Sequence, residues 1–288
     1  MASTTPPVLA RPVRVLGDAG NRFVVNPLGD LGAQLAFYGR CLGWIPKTFV
    51  HYRKEWVRLL AEVSLGSGAL LVGGGTVGVI FFLSFFTGTQ VGLEGFKGLQ
   101  LIGAEAFSGF VSAFGNTREI TPLIAGITLA AQVGCGFTAQ LGAMRISEEV
   151  DALEVMGIPS VPFLVTTRMI AAFIAVIPLY LVSLFSSFLA TRLVVVQFFG
   201  QSAGTYDYYF HKFLPPVDVF YSLGKAMLFA VVVTLVHCYY GYYARGGPEG
   251  VGVAVGKAIR TSIVCIVVLN FFLSLAFWGA TDTVRIAG

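Results

Sequence analysis

The sequence predicts an all-α polytopic membrane protein with an N-terminal interfacial (elbow) helix, five transmembrane helices and a cytoplasmic loop helix between the second and third spans. Hydrophobic residues make up 56% of the 288 residues and charged residues only 12%, against about 45–50% and about 25% in soluble domains. The mean hydropathy is +0.78. Five separate apolar segments approach or exceed the ~20 residues that cross hydrocarbon. This composition excludes a disordered chain, a coiled coil and an ordinary cytosolic enzyme.

The N-terminal region divides into a leader and a membrane-facing segment. Residues 1–29 are polar and broken by prolines, and they lack the apolar run of a secretory signal, so we predict a polar cytoplasmic leader. Residues 30–63 mix aromatic and apolar side chains with basic ones, and Pro46 should divide them. This mixture is typical of a helix in the membrane interface. A soluble helix packed on a partner protein is the alternative.

The spans are placed at the five longest apolar segments. Between the first two, residues 99–115 are apolar but short and contain Glu105, and we interpret them as a partial or re-entrant element. A true span there would invert the orientation of every later segment. The predicted spans are 64–86, 120–143, 163–190, 219–243 and 261–280.

The placement of basic residues predicts the topology. With the N-terminus inside, the inside segments contain twelve lysines and arginines and the outside segments five. The positive-inside rule therefore predicts a cytoplasmic N-terminus and an extracytoplasmic C-terminus. Arg168 and Lys225 fall near span ends, where we expect their side chains to extend to the lipid headgroups.

Small residues recur at every fourth position of the second span and predict a helix-packing stripe, because small side chains let helices approach closely in lipid. Gln132 lies on the same helix and needs a polar partner. The phenylalanine-rich end of the first span either lines an apolar cavity or faces lipid, with lipid slightly favoured. The stripe is Gly126, Ala130, Gly134, Thr138 and Gly142, and the candidate lipid-cavity residues are Phe81, Phe82, Phe85 and Gln132.

The segment between the second and third spans is the most acidic of the chain and predicts a short helix over 147–157. Ser147 suits the N-cap, acidic residues fill the first turn, and Gly157 supplies the stop. Its apolar residues share one face, which is typical of a helix that docks into a groove on a soluble partner. A solvated loop helix is the equal alternative. The candidate residues are Ser147, Glu148, Glu149, Val150, Asp151, Leu153, Glu154, Met156 and Gly157.

Sequence motifs for catalysis are missing. The glycine-rich stretch 73–78 lacks a lysine, and Gly256–Lys257 is followed by Ala258, so no Walker A loop is present. The three histidines and four cysteines are scattered, without metal-ligand or catalytic spacing. We therefore expect no metal site, no catalytic residues and no enzyme activity in this chain.

The stretch EEVDALEVMGIPSVPFLVTTRMIAAFIAVIPL, with the preceding PLIAGITLAAQVGCGFTAQLGAM, resembles the MlaE/YrbE family of permeases. These are membrane subunits of ABC lipid transporters that work with Mce proteins. Similarity extends from about residue 35 to the end, and the leader looks like the actinobacterial YrbE branch. The matching positions are Glu148, Asp151, Ala152, Leu153, Met156, Gly157, Ile158, Pro159 and Arg168.

The resemblance implies a permease domain over 64–288 in the cell inner membrane, with 147–157 as the coupling helix that engages a cytoplasmic ABC ATPase dimer. ATP and Mg would bind in that partner and no cofactor in this chain. A second YrbE-like permease chain, commonly forming a heterodimer, would enclose a lipid cavity, and Mce proteins would continue the path outside. Imported fatty acids, sterols or related lipids are the expected substrates, and nucleic acid is not an expected partner.

The sequence favours this function over two rival ones. An ion-driven secondary transporter of hydrophobic substrates should carry charges near the bilayer midplane or an inverted repeat, and the sequence indicates neither. A membrane enzyme acting on lipid should carry a clustered catalytic set. Asn270 departs from the resemblance, since relatives often have an acidic residue there, which suggests an unequal contribution to a heterodimer. The lipid, the transport direction, the Mce set and homo- versus heterodimer stay open.

Overall fold

A computed structural model describes residues 26–65 and 75–279, and within them the chain is helical without a strand. Three short helices come first: α1 (Asn26–Gly43), α2 (Ile45–His51) and α3 (Arg53–Leu65). Pro46 lies in the first turn of α2, where a missing amide costs little. The predicted interfacial region 30–63 is therefore three helices rather than two. Most of the predicted leader, residues 1–25, lies outside the described residues.

Five helices of the described residues are long and apolar enough to cross a membrane, which confirms the predicted fold class. Two short helices, α6 (Glu149–Val155) and α8 (Ala203–Lys212), connect long ones. The long helices are α4 (Gly75–Gln100), α5 (Glu105–Ile146), α7 (Val161–Phe198), α9 (Pro216–Tyr242) and α10 (Gly247–Trp278).

The first two long helices differ from the predicted spans. Residues 64–65 belong to the end of α3, residues 66–74 lie outside the described part, and α4 extends to Gln100. The chain then turns at Gly103, whose φ is +67°, with the Ala104 amide donating to Leu99 O at 2.9 Å. The re-entrant interpretation of 99–115 was wrong, because most of that stretch is the first part of α5. The polar residues 116–119 had made α5 look shorter.

Two π-helical stretches interrupt α5, at Ser112–Ile120 and Leu129–Gly134. A π-turn closes its hydrogen bond between residues i and i+5 and so accommodates one more residue than an α-turn. Residues at regular α-helical spacing therefore do not stay on one face along this 42-residue helix. This shift brings polar residues of α5 into the bundle.

The inner helices of the bundle are α5, α7 and α9. Half or more of the most apolar stretch is buried in each of them, against less than a third in α4 and α10. The α4–α7 contact is close: a Cβ added at Gly88 would lie 2.5 Å from Ser187 O. Hydroxyls join the same two helices, with Ser84 Oγ and Ser183 Oγ 2.6 Å apart. Small and hydroxyl-bearing residues thus form this contact, as expected for packing in lipid.

The predicted small-residue stripe of α5 is buried at all five positions and faces α9 and α10. A Cβ on Gly134 would lie 2.6 Å from Cδ2 of His237 on α9. The hydroxyl of Thr138 lies 2.8 Å from Nδ1 of the same histidine. On α10, Val251 would meet a Cβ on Gly142 at 2.9 Å. The stripe is therefore where the last two long helices pack on α5.

Candidate functional site

The loop helix between α5 and α7 begins later than predicted. Ser147 ends α5: its amide donates to Ala143 O at 3.0 Å, and its hydroxyl, with one proton to give, lies 3.0 Å from both Ala143 O and Glu149 Oε1. The N-cap prediction for Ser147 was wrong, because α5 continues to Ile146 and already uses that hydroxyl. Glu148 occupies the N-cap position in the left-handed region, with φ 60°, and makes no side-chain cap bond. The helix α6 therefore spans seven residues, not the predicted 147–157.

Gly157 ends the α6 segment. Its φ is +75°, a conformation that glycine adopts without a Cβ penalty. The Gly157 amide donates to Glu154 O at 3.0 Å and the Ile158 amide to Leu153 O at 2.9 Å. These two bonds satisfy the last helical carbonyls. About two turns of helix are thus bounded by a left-handed residue on each side.

The apolar face of α6 points into the protein. Val150 is fully buried in the main core cluster, and Leu153 is half-buried against the same cluster. The expectation that this face docks into a partner was wrong for these two residues, since they fix α6 to its own bundle. An ion pair between Arg145 Nη1 and Asp151 Oδ1, at 2.5 Å, adds a polar tie to the end of α5.

A different set of α6 residues faces outward. The side chains of Val155 and Met156 are exposed to 89% and 65%. Exposed carboxylates of Glu148 and Glu149 lie at the other end of the helix, with Ala152 between. We call these five residues the docking face. Its chemistry suits a partner surface that combines an apolar pocket with basic groups.

The four predicted cavity residues do not enclose a space within one chain. Phe81 and Phe85 are half-buried and stack with ring centroids 6.1 Å apart. Phe82 is exposed, and so is Gln132 on α5. A cavity lined by Phe82 and Gln132 would therefore need a second chain opposite them.

Charged residues form a buried cluster at the opposite end of the bundle from α6. Arg118 and Asp218 are both buried and pair at 2.7 Å. The indole Nε1 of Trp278 donates to the second carboxylate oxygen of Asp218 at 2.9 Å. The cluster thus joins α5, α9 and the end of α10. Buried ionic groups in a membrane segment are costly and mark functional or structurally critical positions.

Lys225 completes the cluster and is fully buried. Its Nζ donates to Arg118 O and to Ser274 Oγ, each at 2.7 Å, and lies 3.5 Å from Glu119 Oε1. Glu119 also accepts from the Asn270 amide at 2.6 Å. The expectation that Lys225 extends to the headgroups was wrong, because a backbone carbonyl of α5 and a hydroxyl of α10 hold its Nζ inside the bundle.

Arg168 near the start of α7 is also buried rather than extended to lipid headgroups. Its guanidinium donates to Leu164 O at 2.6 Å and to the Gln140 side chain at 3.3 Å, and lies over the ring of Phe137. Gln140 in turn donates to Glu62 of α3 at 2.8 Å. The chain of contacts therefore fixes α3 to α5 and α7.

Sequence reasoning missed the cluster because it placed Arg118 and Glu119 in an outer loop. One signal was available: Asp218, Ser222 and Lys225 are spaced by four and three residues, which puts three polar side chains on one face of an apolar helix. Elsewhere in the described residues, no three histidine, cysteine, aspartate or glutamate side chains gather as a metal site would require.

The surface at that end also carries a charged tie between α7 and α8. Arg192 donates two hydrogen bonds to the carboxylate of Asp207, at 2.9 and 3.0 Å. These bonds hold the pKa of Asp207 below its ordinary value. The segment after α7 is thus an ordered helix rather than an open loop.

Comparison with known proteins places the chain in a family. The profile of the family described as Permease MlaE matches residues 66–276. A probable ABC transporter permease protein of Rickettsia bellii is 32% identical over 209 residues, which cover 73% of this chain and 81% of the relative. A Synechocystis protein of the same description is 29% identical over 74% of this chain and 81% of its own length.

A plant relative extends the comparison. The chloroplastic protein TRIGALACTOSYLDIACYLGLYCEROL 1 of Arabidopsis thaliana is 29% identical over 211 residues, 73% of this chain and 60% of the relative. The region that the family profile matches takes in α4 to α10 almost completely. It includes the docking face and the clustered charged residues Arg118, Glu119, Asp218 and Lys225. This chain is a multi-pass ABC transporter permease of the MlaE family.

Proposed function

We propose that this chain is the permease subunit of an Mce-type ABC lipid transporter in the cell inner membrane. A cytoplasmic ABC ATPase dimer, carrying ATP and Mg, drives it through α6. A second YrbE-like permease chain pairs with it as a heterodimer around a lipid cavity, and extracytoplasmic Mce proteins continue the path. The substrates are fatty acids, sterols or related lipids moving inward.

The observation that carries this proposal is the docking face. An exposed apolar tip, Val155 and Met156, stands on a short helix that is fixed to the bundle through buried Val150. Such a helix can pass a push from a partner into the ends of α5 and α7, since it contacts both. The shift of those helices would change the volume of a cavity between two permease chains, which accounts for ATP-driven movement without a nucleotide site here.

The distribution of basic residues supports a cytoplasmic location for the α6 end. Arg145 closes α5 beside α6, and Arg245 lies in the short connection between α9 and α10 at the same end. The helices before α4 contribute further basic residues, and cytoplasmic segments are enriched in these. They are Arg40, Lys47, Arg53, Lys54 and Arg58.

The lipid substrate is supported by the outward-facing residues and by one relative. Phe82 and Gln132 lie on the surface that a second chain would need to cover. The name of the Arabidopsis relative contains a galactolipid. An ion-driven transporter would also explain a buried charge cluster, but each charge described in it has an opposite charge within the cluster, and the family favours ATP.

The test is co-purification from the native cell with a matched pair of variants. Val155→Asp places a charge on the docking face, whereas Leu101→Asp places one in the α4–α5 turn at the other end. Both parent side chains are exposed to 89%. We expect the wild type and Leu101→Asp to retain a stoichiometric ABC ATPase, a second permease chain and Mce proteins, and Val155→Asp to lose the ATPase alone.

Lipid extracted from the same wild-type preparation, identified by mass spectrometry, reports the substrate class. Loss of the ATPase from Leu101→Asp but not from Val155→Asp would move the docking surface to the other end. A wild-type chain that never retains an ATPase under gentle extraction would contradict the proposal and favour the ion-driven alternative.

A further inference from the structure

Three polar side chains meet at the α6 end of the bundle. Glu154 is on α6, Ser160 directly precedes α7, and Tyr242 is the last residue of α9. Ser160 Oγ donates to Glu154 Oε1 at 2.6 Å, and the Tyr242 hydroxyl lies 2.7 Å from Ser160 Oγ and 3.4 Å from Glu154 Oε1. We call these three residues the Glu154 latch.

The chemistry of the three side chains fixes which of them donates each hydrogen bond of the latch. A carboxylate only accepts hydrogen bonds, so Ser160 must give its single proton to Glu154. Tyr242 must then donate to Ser160 Oγ, the nearer of its two acceptors. The result is a chain of donors from α9 through the start of α7 to α6, and its last bond is strengthened by charge. Ser160 is buried, so losing either partner would remove one of the two hydrogen bonds that its hydroxyl makes in place of water.

Among the residues that the structure describes, the latch supplies the polar contact between α6 and α9. The Arg145–Asp151 pair ties α6 only to α5, and the Ser147–Glu149 hydrogen bond of 3.0 Å stays within the loop. Buried Val150 and the Arg145–Asp151 pair fix α6 to the bundle, so a movement of α6 carries these contacts with it. Without the latch, such a movement would reach α5 and the core contact of Val150, but no polar contact among the described residues would carry it to α9.

Tyr242 also connects the latch to α1. Its ring packs on that of Phe37 in α1, with centroids 5.7 Å apart, and Phe37 is fully buried. The neighbouring Tyr243 packs on Phe37 at the same 5.7 Å, but its hydroxyl is not part of the latch. Beside the latch a groove is lined by Arg40 of α1 and by Trp44, which precedes α2, together with Glu154 and Ser160, so the carboxylate has room to move.

We infer that Glu154, Ser160 and Tyr242 are positioning residues that transmit movement of α6 to α7 and α9 at once, so that a push on the docking face moves both helices together. This inference rests on the proposed function, since the push comes from the partner ATPase. It adds α9 to the path of transmission, and α9 is the helix that carries Asp218 and Lys225 at its other end.

The experiment uses the whole transporter complex in lipid vesicles and three variants. Tyr242→Phe and Ser160→Ala each remove one hydroxyl of the latch. Tyr243→Phe removes a neighbouring hydroxyl and keeps the same ring contact with Phe37. For each preparation we would measure ATP hydrolysed and lipid transferred, and from them the lipid moved per ATP. Hydrogen exchange of the α6 amides in the same complexes reports whether α6 is held.

We expect both latch variants to assemble, to hydrolyse ATP within about twofold of wild type, and to move about fivefold less lipid per ATP, the factor that corresponds to one hydrogen bond. Their α6 amides should exchange about fivefold faster, and Tyr243→Phe should match wild type in both measurements. Glu154→Gln keeps an acceptor oxygen, so its lipid transfer per ATP should fall less than that of Tyr242→Phe or Ser160→Ala.

Faster α6 exchange with an unchanged ratio of lipid to ATP would make the latch a purely local brace and overturn the transmitting role. Unchanged exchange and an unchanged ratio would overturn the latch altogether. An equal loss in Tyr243→Phe, which keeps the ring contact with Phe37, would show that the loss is not specific to the latch hydroxyls and would overturn their role. A wild-type complex that hydrolyses ATP but moves no lipid would instead contradict the proposed function, and the transmitting role with it.

Discussion

Gly134 is the position where the packing of α5 on α9 can be tested most directly. A Cβ there would lie 2.6 Å from Cδ2, 2.7 Å from Nε2 and 2.8 Å from Cγ of His237, all well inside ordinary contact distance. The imidazole cannot simply rotate away, because its Nδ1 lies 2.8 Å from the Thr138 hydroxyl. Gly134→Ala therefore requires the ring, or the helix that carries it, to move by about 0.8 Å to reach the 3.4 Å of an ordinary contact.

The magnitude follows from comparison with Gly136→Ala on the same helix, where a Cβ meets nothing within 4 Å. Both substitutions gain about 1 kcal/mol of helix propensity, so that contribution cancels between them. The overpacking at Gly134 costs about 1–3 kcal/mol. We expect Gly134→Ala to be less stable than Gly136→Ala by that amount, or by about 2–12 °C in Tm at about 2–4 °C per kcal/mol.

The assay is thermal unfolding in detergent, followed by the fraction of each variant that stays monodisperse after heating. The Gly136→Ala variant controls for expression, detergent and helix propensity together. Equal melting of the two variants, or a Gly134→Ala variant as stable as wild type plus its propensity gain, would show that α5 and α9 are not in close contact and would refute the packing described here.

Three further perturbations follow from other contacts. Arg118→Ala leaves the buried Asp218 carboxylate without its ion-pair partner at 2.7 Å; we expect a loss of about 3–5 kcal/mol, seen as a lower Tm that Arg118→Lys partly restores, and a wild-type Tm would contradict it. Gly88→Ala places a Cβ 2.5 Å from backbone Ser187 O, whereas a Cβ at Gly98 meets nothing within 4 Å; only Gly88→Ala should lower the free energy of unfolding, by about 1–3 kcal/mol, seen as a lower Tm. The pKa of Asp207 is lowered by Arg192, so the α7–α8 tie is complete above the ordinary pKa of about 3.9 and is lost as pH falls through the lowered value. Exchange of α8 amides, corrected for intrinsic rates, should therefore accelerate below about pH 4 in wild type, and Arg192→Gln should show the faster exchange already at pH 7; identical profiles would exclude the tie.

The parts of the fold that depend on local periodicity were predictable from the sequence. The five apolar segments and the four-residue spacing from Gly126 to Gly142 are properties of one helix at a time. Neither depends on distant residues, because the length of the apolar segment and the pitch of the helix determine them. Gly157 as the end of α6 belongs to the same class, since the left-handed conformation favours glycine locally.

The parts that depend on distant partners were not predictable. Lys225 is held by a carbonyl and a hydroxyl that lie more than 40 residues away along the chain, and only the packing of α5 and α10 on α9 brings them to it. Val150 and Val155 have the same chemistry, yet one is fully buried and the other is 89% exposed. The orientation of α6 on the bundle decides between them, and no pattern within 147–157 contains that orientation.

The π-helical stretch Ser112–Ile120 has a consequence for how this helix is compared with its relatives. Each π-turn holds one residue more than regular α-helix, so removing a single residue there would restore regular winding. Every side chain before the deletion would then turn by about 100° about the helix axis relative to those after it. The first segment of α5 would present a different face to α4 and α8, while Arg118 and Glu119 would leave the positions that pair them with α9. A relative that lacks one residue at 112–120 would therefore have different contacts between α5 and its neighbours. A relative that aligns through 112–120 without a gap can keep the polar contacts of α5.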